Sequence, residues 1–116
     1  MKTIEIISIP VTNQEKSKQF YEDLGFTLLV EAPFGEGQKW VQLGFPGHDA
    51  SITLVTWFPN MPPGCQQGFV VKTDSLEQDI EELSAKGISV GKIDETPWGR
   101  FVLVKDPDGN TVSFHQ

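Results

Sequence analysis

The sequence predicts an α+β protein in which one unit, made of a strand, a helix and further strands, occurs twice. Each half contains one helical stripe of apolar residues between segments that alternate apolar and polar residues. The offset between the halves is nearly constant: Thr12 and Thr73 are 61 residues apart (73 − 12), and Gly25 and Gly87 are 62 apart (87 − 25). A segment rich in proline and glycine, residues 59–64, separates the two halves.

The 116 residues have the length of one domain. We predict that this domain consists of a first module at about residues 1–58 and a second at about residues 65–116. Hydrophobic residues make up 38% and charged residues 22%, which is the balance of a globular protein. Cys65 is the single cysteine, and the N-terminal residues lack the pattern of a signal peptide. These features predict a cytoplasmic protein without an internal disulfide.

The charge and hydropathy patterns exclude two classes of partner, nucleic acids and the membrane interior. The chain has 9 basic and 16 acidic residues, which gives a net charge of −7, and Arg100 is its only arginine. A nucleic-acid-binding protein would carry a basic stripe, and none is present. No apolar window approaches about 18 residues, so we expect no membrane-spanning segment.

In the first half, the strand and helix signals follow one another closely. Residues 4–11 alternate between two faces, which predicts a strand. Thr12 and Glu15 predict a capping box at the start of the helix, with Asn13 as the alternative cap. Gly25 predicts the end of that helix. Further strands are predicted at residues 26–30, 39–45 and 51–57.

The second half repeats these signals. Residues 68–72 predict a strand, Thr73 and Asp74 stand at the start of the helix, and Gly87 stands at its end. Residues 106–110, with the sequence DPDGN, predict a tight hairpin turn. The remaining strands are predicted at residues 88–92, 100–104 and 111–115.

Two motifs resemble a known superfamily. FYEDLGF at residues 20–26 matches a signature that follows the first strand in the vicinal oxygen chelate superfamily, and DPDGN at residues 106–110 matches the turn before its last strand. Trp98-Gly99 also resembles many members. The superfamily includes glyoxalase I, bleomycin-resistance proteins, fosfomycin-resistance enzymes and extradiol dioxygenases. The resemblance implies two βαβββ modules, each with a curved mixed sheet and its helix on the convex side, that together form a cup.

The metal site of the metal-dependent relatives is the feature that this chain departs from. In those relatives, four His, Gln or Glu side chains hold one divalent ion. Motif matching carries these four positions onto Ile6, Thr53, Gly68 and Ser113. None of these residues is a good ligand for Zn²⁺, Ni²⁺ or Fe²⁺. A register slipped by one residue would admit Glu5 and Gln67, which is at most half a site. We therefore predict no metal and no other cofactor.

The unslipped register leaves small polar and aromatic side chains to line the cup. The predicted ligand-binding residues are Ile6, Ser8, Trp40, Thr53, Trp57, Trp98, Arg100, Ser113 and His115. An indole can stack on a planar ligand. Arg100 would hold a carboxylate or phosphate if its guanidinium faces the cup. His115 could act as a general base or a hydrogen-bonding partner. For each residue, packing or solvation is the alternative role.

These observations favour a metal-independent binder of a small organic molecule, similar to the bleomycin-resistance branch and so linked to antibiotic resistance. The net charge of −7 favours a cationic ligand. The alternative is a glyoxalase-like lyase, isomerase or dioxygenase with a non-standard metal site, and a purely structural or partner-binding role is the third possibility. Relatives commonly form dimers, so we expect a homodimer. Whether the modules pair within one chain or swap between two chains stays open.

Overall fold

Two four-stranded sheets, each accompanied by one helix, form the fold in a computed structural model that describes residues 1–116. The elements of the first module are β1 (Ile6–Pro10), α1 (Gln14–Asp23), β2 (Thr27–Pro33), β3 (Lys39–Gly44) and β4 (Ser51–Val55). Those of the second module are β5 (Phe69–Lys72), α2 (Leu76–Ala85), β6 (Asp94–Thr96), β7 (Gly99–Lys105) and β8 (Thr111–His115). The predicted α+β class and the repeated βαβββ order are confirmed.

The two sheets have the same topology. Their strand orders are β1-β4-β3-β2 and β5-β8-β7-β6. In each sheet the first strand of the module is parallel to the last strand, and the other neighbours are antiparallel. No helix of the structure is long and apolar enough to cross a membrane.

Alternation along the strands decides which side chains face the helix. Ile9 and Leu54 are register partners on β1 and β4, and they are buried with Leu43 of β3 in the core. Ser8 and Thr53 are the neighbouring register pair, so their side chains project from the opposite face. We call this opposite side of each sheet, away from the helix-side core, its open face.

The cap of the first helix is the predicted alternative, Asn13, and not Thr12. The Asn13 side chain accepts a hydrogen bond from the backbone of Lys16 and caps α1, and Ser75 caps α2 in the same way. Thr12 is not the cap because its hydroxyl and backbone N–H both donate to Asp108, with an Oγ1–Oδ1 distance of 2.6 Å. Thr73 and Asp74 do not cap the second helix, because Ser75 fills that position and the Thr73 hydroxyl donates to Asp79.

The predicted strand at residues 88–92 is wrong. The third-last strand of the chain is β6, and it begins only at Asp94. Thr96 pairs with Gly99 in a short hairpin, so the strand that pairs with β7 lies after the predicted segment. The segment itself packs Ile88 and Val90 against the core, and Gly91 donates one backbone hydrogen bond to β7.

A buried hydrogen-bond network, which we call the module junction, joins the two modules. The Tyr21 hydroxyl donates to Asp106 Oδ2 at 2.9 Å. Asn110 Nδ2 donates to the same carboxylate at 2.7 Å and to the Pro10 carbonyl at 2.8 Å, and Asn110 Oδ1 accepts from the backbone of Gln66. Burial, together with the neighbouring Asp106 carboxylate, raises the pKa of Tyr21 well above its usual range. The two recognised motifs thus meet here, and the two modules share one apolar core.

Candidate functional site

The open face of the first module carries a row of polar side chains that hydrogen-bond to one another. Trp40 Nε1 donates to Gln42 Oε1 at 3.1 Å, and Gln42 Nε2 donates to Ser51 Oγ at 2.8 Å. Ser51 Oγ in turn donates to the backbone carbonyl of Glu5. The hydroxyls of Ser8 and Thr53 lie 3.5 Å apart on the same face. This polar row holds the Trp40 indole in one orientation.

Four aromatic rings gather at one end of this row, and we call them the aromatic cluster. Trp40 and Trp57 stack with centroids 6.3 Å apart and an interplanar angle of 25°. Phe34 lies 5.7 Å from Trp40 and 5.1 Å from Trp57, and Phe58 lies 6.1 Å from Trp57. Phe34 and Phe58 remain 41% and 46% exposed. The cluster therefore offers ring surface to a planar organic molecule.

Sequence reasoning missed three of the side chains described above. Gln42 could have been found, because it alternates with Trp40 and Gly44 on the open face of β3. Phe34 and Phe58 lie outside the regular strands, where no periodicity reports which way a side chain points. The aromatic cluster was therefore only partly predictable.

The open face of the second module has a different character. Ser113 stands between Val70 and Leu103, its register partners on the neighbouring strands, and these are 50% and 45% exposed. His115 stacks on Phe101 with centroids 4.5 Å apart, and its Nε2 lies 3.1 Å from the Trp98 carbonyl oxygen. Trp98 itself lies in the turn before β7 and is 82% exposed.

Arg100 does not share a face with Ser113 and His115. Its guanidinium pairs with Glu77 in the first turn of α2 and with Glu95 of β6, at 3.0 Å for the latter. The guanidinium lowers the pKa of Glu77, and the two carboxylates raise the pKa of Arg100. Alternation with Val102 and Val104, which are buried in the core, already indicated the helix side for this residue. Arg100 is therefore committed to ion pairs rather than available to a ligand on the open face.

The predicted residues thus fall into two groups within one chain. Ile6, Ser8, Trp40, Thr53 and Trp57 lie on or beside the open face of the first module, and Trp98, Ser113 and His115 lie on or beside that of the second. The structure has two cavities, of about 350 and 600 Å³. Neither is lined by any of these eight residues, so no cavity of the single chain joins the two groups.

The donor set does not fit the metal ion of the metal-dependent relatives. The four matched positions, Ile6, Thr53, Gly68 and Ser113, supply two neutral hydroxyls and no imidazole or carboxylate. No three His, Cys, Asp or Glu side chains of the structure lie close enough together to hold a metal ion. The arrangement is suited to stacking and hydrogen bonding, and we derive no metal-dependent step from it.

Comparison with known proteins gives consistent results. A family model described as the Glyoxalase/Bleomycin resistance protein/Dioxygenase superfamily matches residues 3–114. TnmS3, an antibiotic binding protein from Streptomyces sp. CB03234, is 41% identical with a TM-score of 0.94, covering 100% of this chain and 96% of its own. A glyoxalase/bleomycin resistance protein from the same strain is 42% identical with a TM-score of 0.88, covering 98% and 100%. YetH, an uncharacterized protein of Bacillus subtilis (strain 168), is 30% identical in an alignment of 115 positions that covers 95% of this chain and 94% of YetH.

Proposed function

Because the chain belongs to the glyoxalase/bleomycin resistance protein/dioxygenase superfamily, we propose that it binds a small organic molecule, of the antibiotic type, without a metal ion. The ligand lies on the open face of the first module, against the aromatic cluster. The similarity to TnmS3, which is described as an antibiotic binding protein, supports this ligand class. Sequestration of an antibiotic in the cytoplasm would lower its free concentration and so give resistance.

The aromatic cluster beside the polar row is the observation that carries this proposal. A stacked ligand gains apolar burial on Trp57, while the half-buried Ser8 hydroxyl is placed to hydrogen-bond its edge. Thr53 is only 1% exposed, so its hydroxyl supports Ser8 rather than contacting the ligand. The Trp40 indole is already fixed by its bond to Gln42, so little side-chain freedom is lost on binding. The net charge of −7 favours a cationic over an anionic ligand.

The proposed site is completed by a second copy of the chain. The open face of the second module leaves the apolar side chains Val70 and Leu103 half exposed, beside the largely exposed Trp98. Covering this face with the open face of the first module of a partner would bury both and enclose the ligand. A homodimer with two such sites is therefore part of the proposal.

Titration of tryptophan fluorescence with a panel of planar aromatic compounds, cationic and neutral, tests the binding function. We expect quenching by cationic aromatic compounds, and an affinity at least about tenfold weaker in Trp57→Ala. Phe20→Leu removes an aromatic ring from α1, outside the aromatic cluster, and should leave the affinity unchanged. The proposal fails if no compound changes the fluorescence, or if Trp57→Ala and Phe20→Leu behave alike.

Metal independence and assembly each have a direct test. Elemental analysis of the purified protein should find no stoichiometric Zn, Ni, Fe or Mn, and a chelator should leave ligand affinity unchanged. A bound ion that the chelator removes together with binding would support the lyase, isomerase or dioxygenase alternative. Light scattering at micromolar concentration should give the mass of a dimer, and a mass near 12.9 kDa would contradict the two-chain site.

A further inference from the structure

A separate cavity of about 350 Å³ lies where β5 meets the first module. Three phenylalanine rings form its apolar wall: Phe26 lies 4.5 Å from Phe45 and 6.3 Å from Phe69, centroid to centroid. Ile7 and Ile52 extend this wall from the helix-facing side of the first sheet. The volume is at the lower end of the range for small-molecule sites, about 300–1,000 Å³.

Both titratable residues that line this cavity have basic side chains. His48 and Lys72 are its only titratable lining residues, and no aspartate or glutamate lines it. Neither side chain has an ion pair or a hydrogen bond in the structure. In a chain with a net charge of −7, the unpaired Lys72 ammonium beside an apolar cavity provides charge complementarity for an anion, and the His48 imidazole adds a hydrogen-bonding group.

We propose that this cavity is a second ligand site, distinct from the aromatic cluster, and that it takes a small aromatic carboxylic acid. The ring of the ligand packs among Phe26, Phe45 and Phe69, and its carboxylate lies near Lys72 and His48. Aromatic rings prefer edge-to-face and offset contacts with other rings, and the three phenylalanine rings can make such contacts with the ring of the ligand. None of the four rings of the aromatic cluster lines the cavity, whereas Ser51 of the polar row and Val70 of the second open face do.

The test is an NMR titration of the full chain with 3-phenylpropanoate, followed in amide ¹H–¹⁵N spectra. We expect shifts confined to the cavity lining, chiefly residues 45–52 and 69–72. The neutral 3-phenylpropanamide has the same ring and should bind about fivefold more weakly, because it lacks the charge that Lys72 attracts. Lys72→Gln and His48→Gln should each weaken binding of the acid about threefold.

Two control variants separate this site from the others. Lys92→Gln removes the same charge from an exposed lysine that does not line the cavity, and should leave the affinity unchanged. Trp57→Ala should likewise bind 3-phenylpropanoate as the unaltered chain does. The inference is overturned if no shifts arise at millimolar acid, if they map to the aromatic cluster instead of the cavity lining, or if the amide binds as tightly as the acid. Any of these results leaves the Trp57-dependent binding test intact.

Discussion

The two modules have the same strand order, but their open faces carry different chemistry. In the first module, Gln42 links Trp40 to Ser51 in a hydrogen-bonded row, and aromatic rings close one end of it. In the second module, the corresponding face exposes aliphatic side chains around Ser113 and has no such row. The groups of the proposed site are therefore concentrated in one module, while the other exposes apolar surface.

The helix sides of the two modules, by contrast, are closely alike. The caps Asn13 and Ser75 are 62 residues apart (75 − 13), as are the first-turn glutamates Glu15 and Glu77 (77 − 15). Each glutamate pairs with a cation on the third strand of its module, which is Lys39 in the first and Arg100 in the second. The residues that attach the helix to the sheet are therefore equivalent in the two modules, whereas the residues of the open faces are not.

The largest expected effect concerns the dependence of one module on the other. Asp106→Ala should lower the free energy of unfolding by about 3 kcal/mol or more, because it leaves the Tyr21 hydroxyl and the Asn110 amide buried without their acceptor. Asp108→Ala removes only exposed bonds to Thr12 and should cost about 1 kcal/mol. Urea denaturation measures both. Equal losses would mean that the module junction is not what couples the modules.

Removal of the two helix caps tests the likeness of the helix sides. Asn13→Ala and Ser75→Ala should each lower the free energy of unfolding by about 1 kcal/mol, since each leaves one backbone N–H of the first turn unpaired. Ser75→Thr keeps an acceptor and should recover most of the loss. Chemical denaturation of all three variants measures these losses. If one cap could be removed without a loss of stability, the two helix sides would not be equivalent.

The contribution of the second module to ligand binding should be smaller than that of the first. Trp98→Ala should weaken binding about threefold, against at least about tenfold for Trp57→Ala, because Trp98 stands alone in a turn and Trp57 belongs to a cluster. The same fluorescence titration provides the comparison. An affinity equal to that of the unaltered chain would remove the second module from the proposed site.

The smallest expected effect is the response of the two helix attachments to acid. Hydrogen bonds from Lys39 and Lys18 lower the pKa of Glu15 from 4.5 to about 2, and Arg100 lowers that of Glu77. A depressed folded-state pKa contributes stability above the unfolded value, and this stability is lost as the pH falls from 4.5 toward 2.

We therefore expect the free energy of unfolding to fall over this acid range, and Glu15→Gln to make the fall shallower. Glu77→Gln should have a smaller effect, because Glu77 has one cationic partner and Glu15 has two. All of these groups are on the surface, so added salt should reduce the differences. Denaturation at several pH values would contradict the expectation if both variants kept the original slope.

Strand faces were predictable wherever alternation was uninterrupted. The opposite burial environments of Ile9 and Ser8 follow from period two alone, and the same rule assigns Arg100 to the helix side. The position of β6 was not predictable, because Ile88 and Val90 alternate like a strand while a hairpin further along sets the pairing. The local sequence pattern shows which face of a strand is buried, whereas residues distant in sequence determine which segments pair.

The candidate site shows the same limit. The indole of Trp40 could be assigned to the open face from its neighbours on β3, but its contact with Trp57 depends on the path of the chain after β4, where no strand pattern applies. Pairing of Arg100 with Glu77 joins residues 23 positions apart on different elements. No spacing in the sequence reports such a contact.

The module junction also bears on how the chain could be divided. Asn110 holds the Pro10 carbonyl and Asp108 holds Thr12, so the halves are joined by bonds that bypass residues 59–64. Gly64 packs closely on the second half, since a Cβ at its φ of +88° would overlap the Asp108 carbonyl. If the chain were cut after residue 61, Gly64 would stay in the same fragment as Asp108, on which it packs. The fragments 1–61 and 62–116, expressed together, should co-purify as a complementing pair, as expected of a duplicated gene whose products still recognise each other.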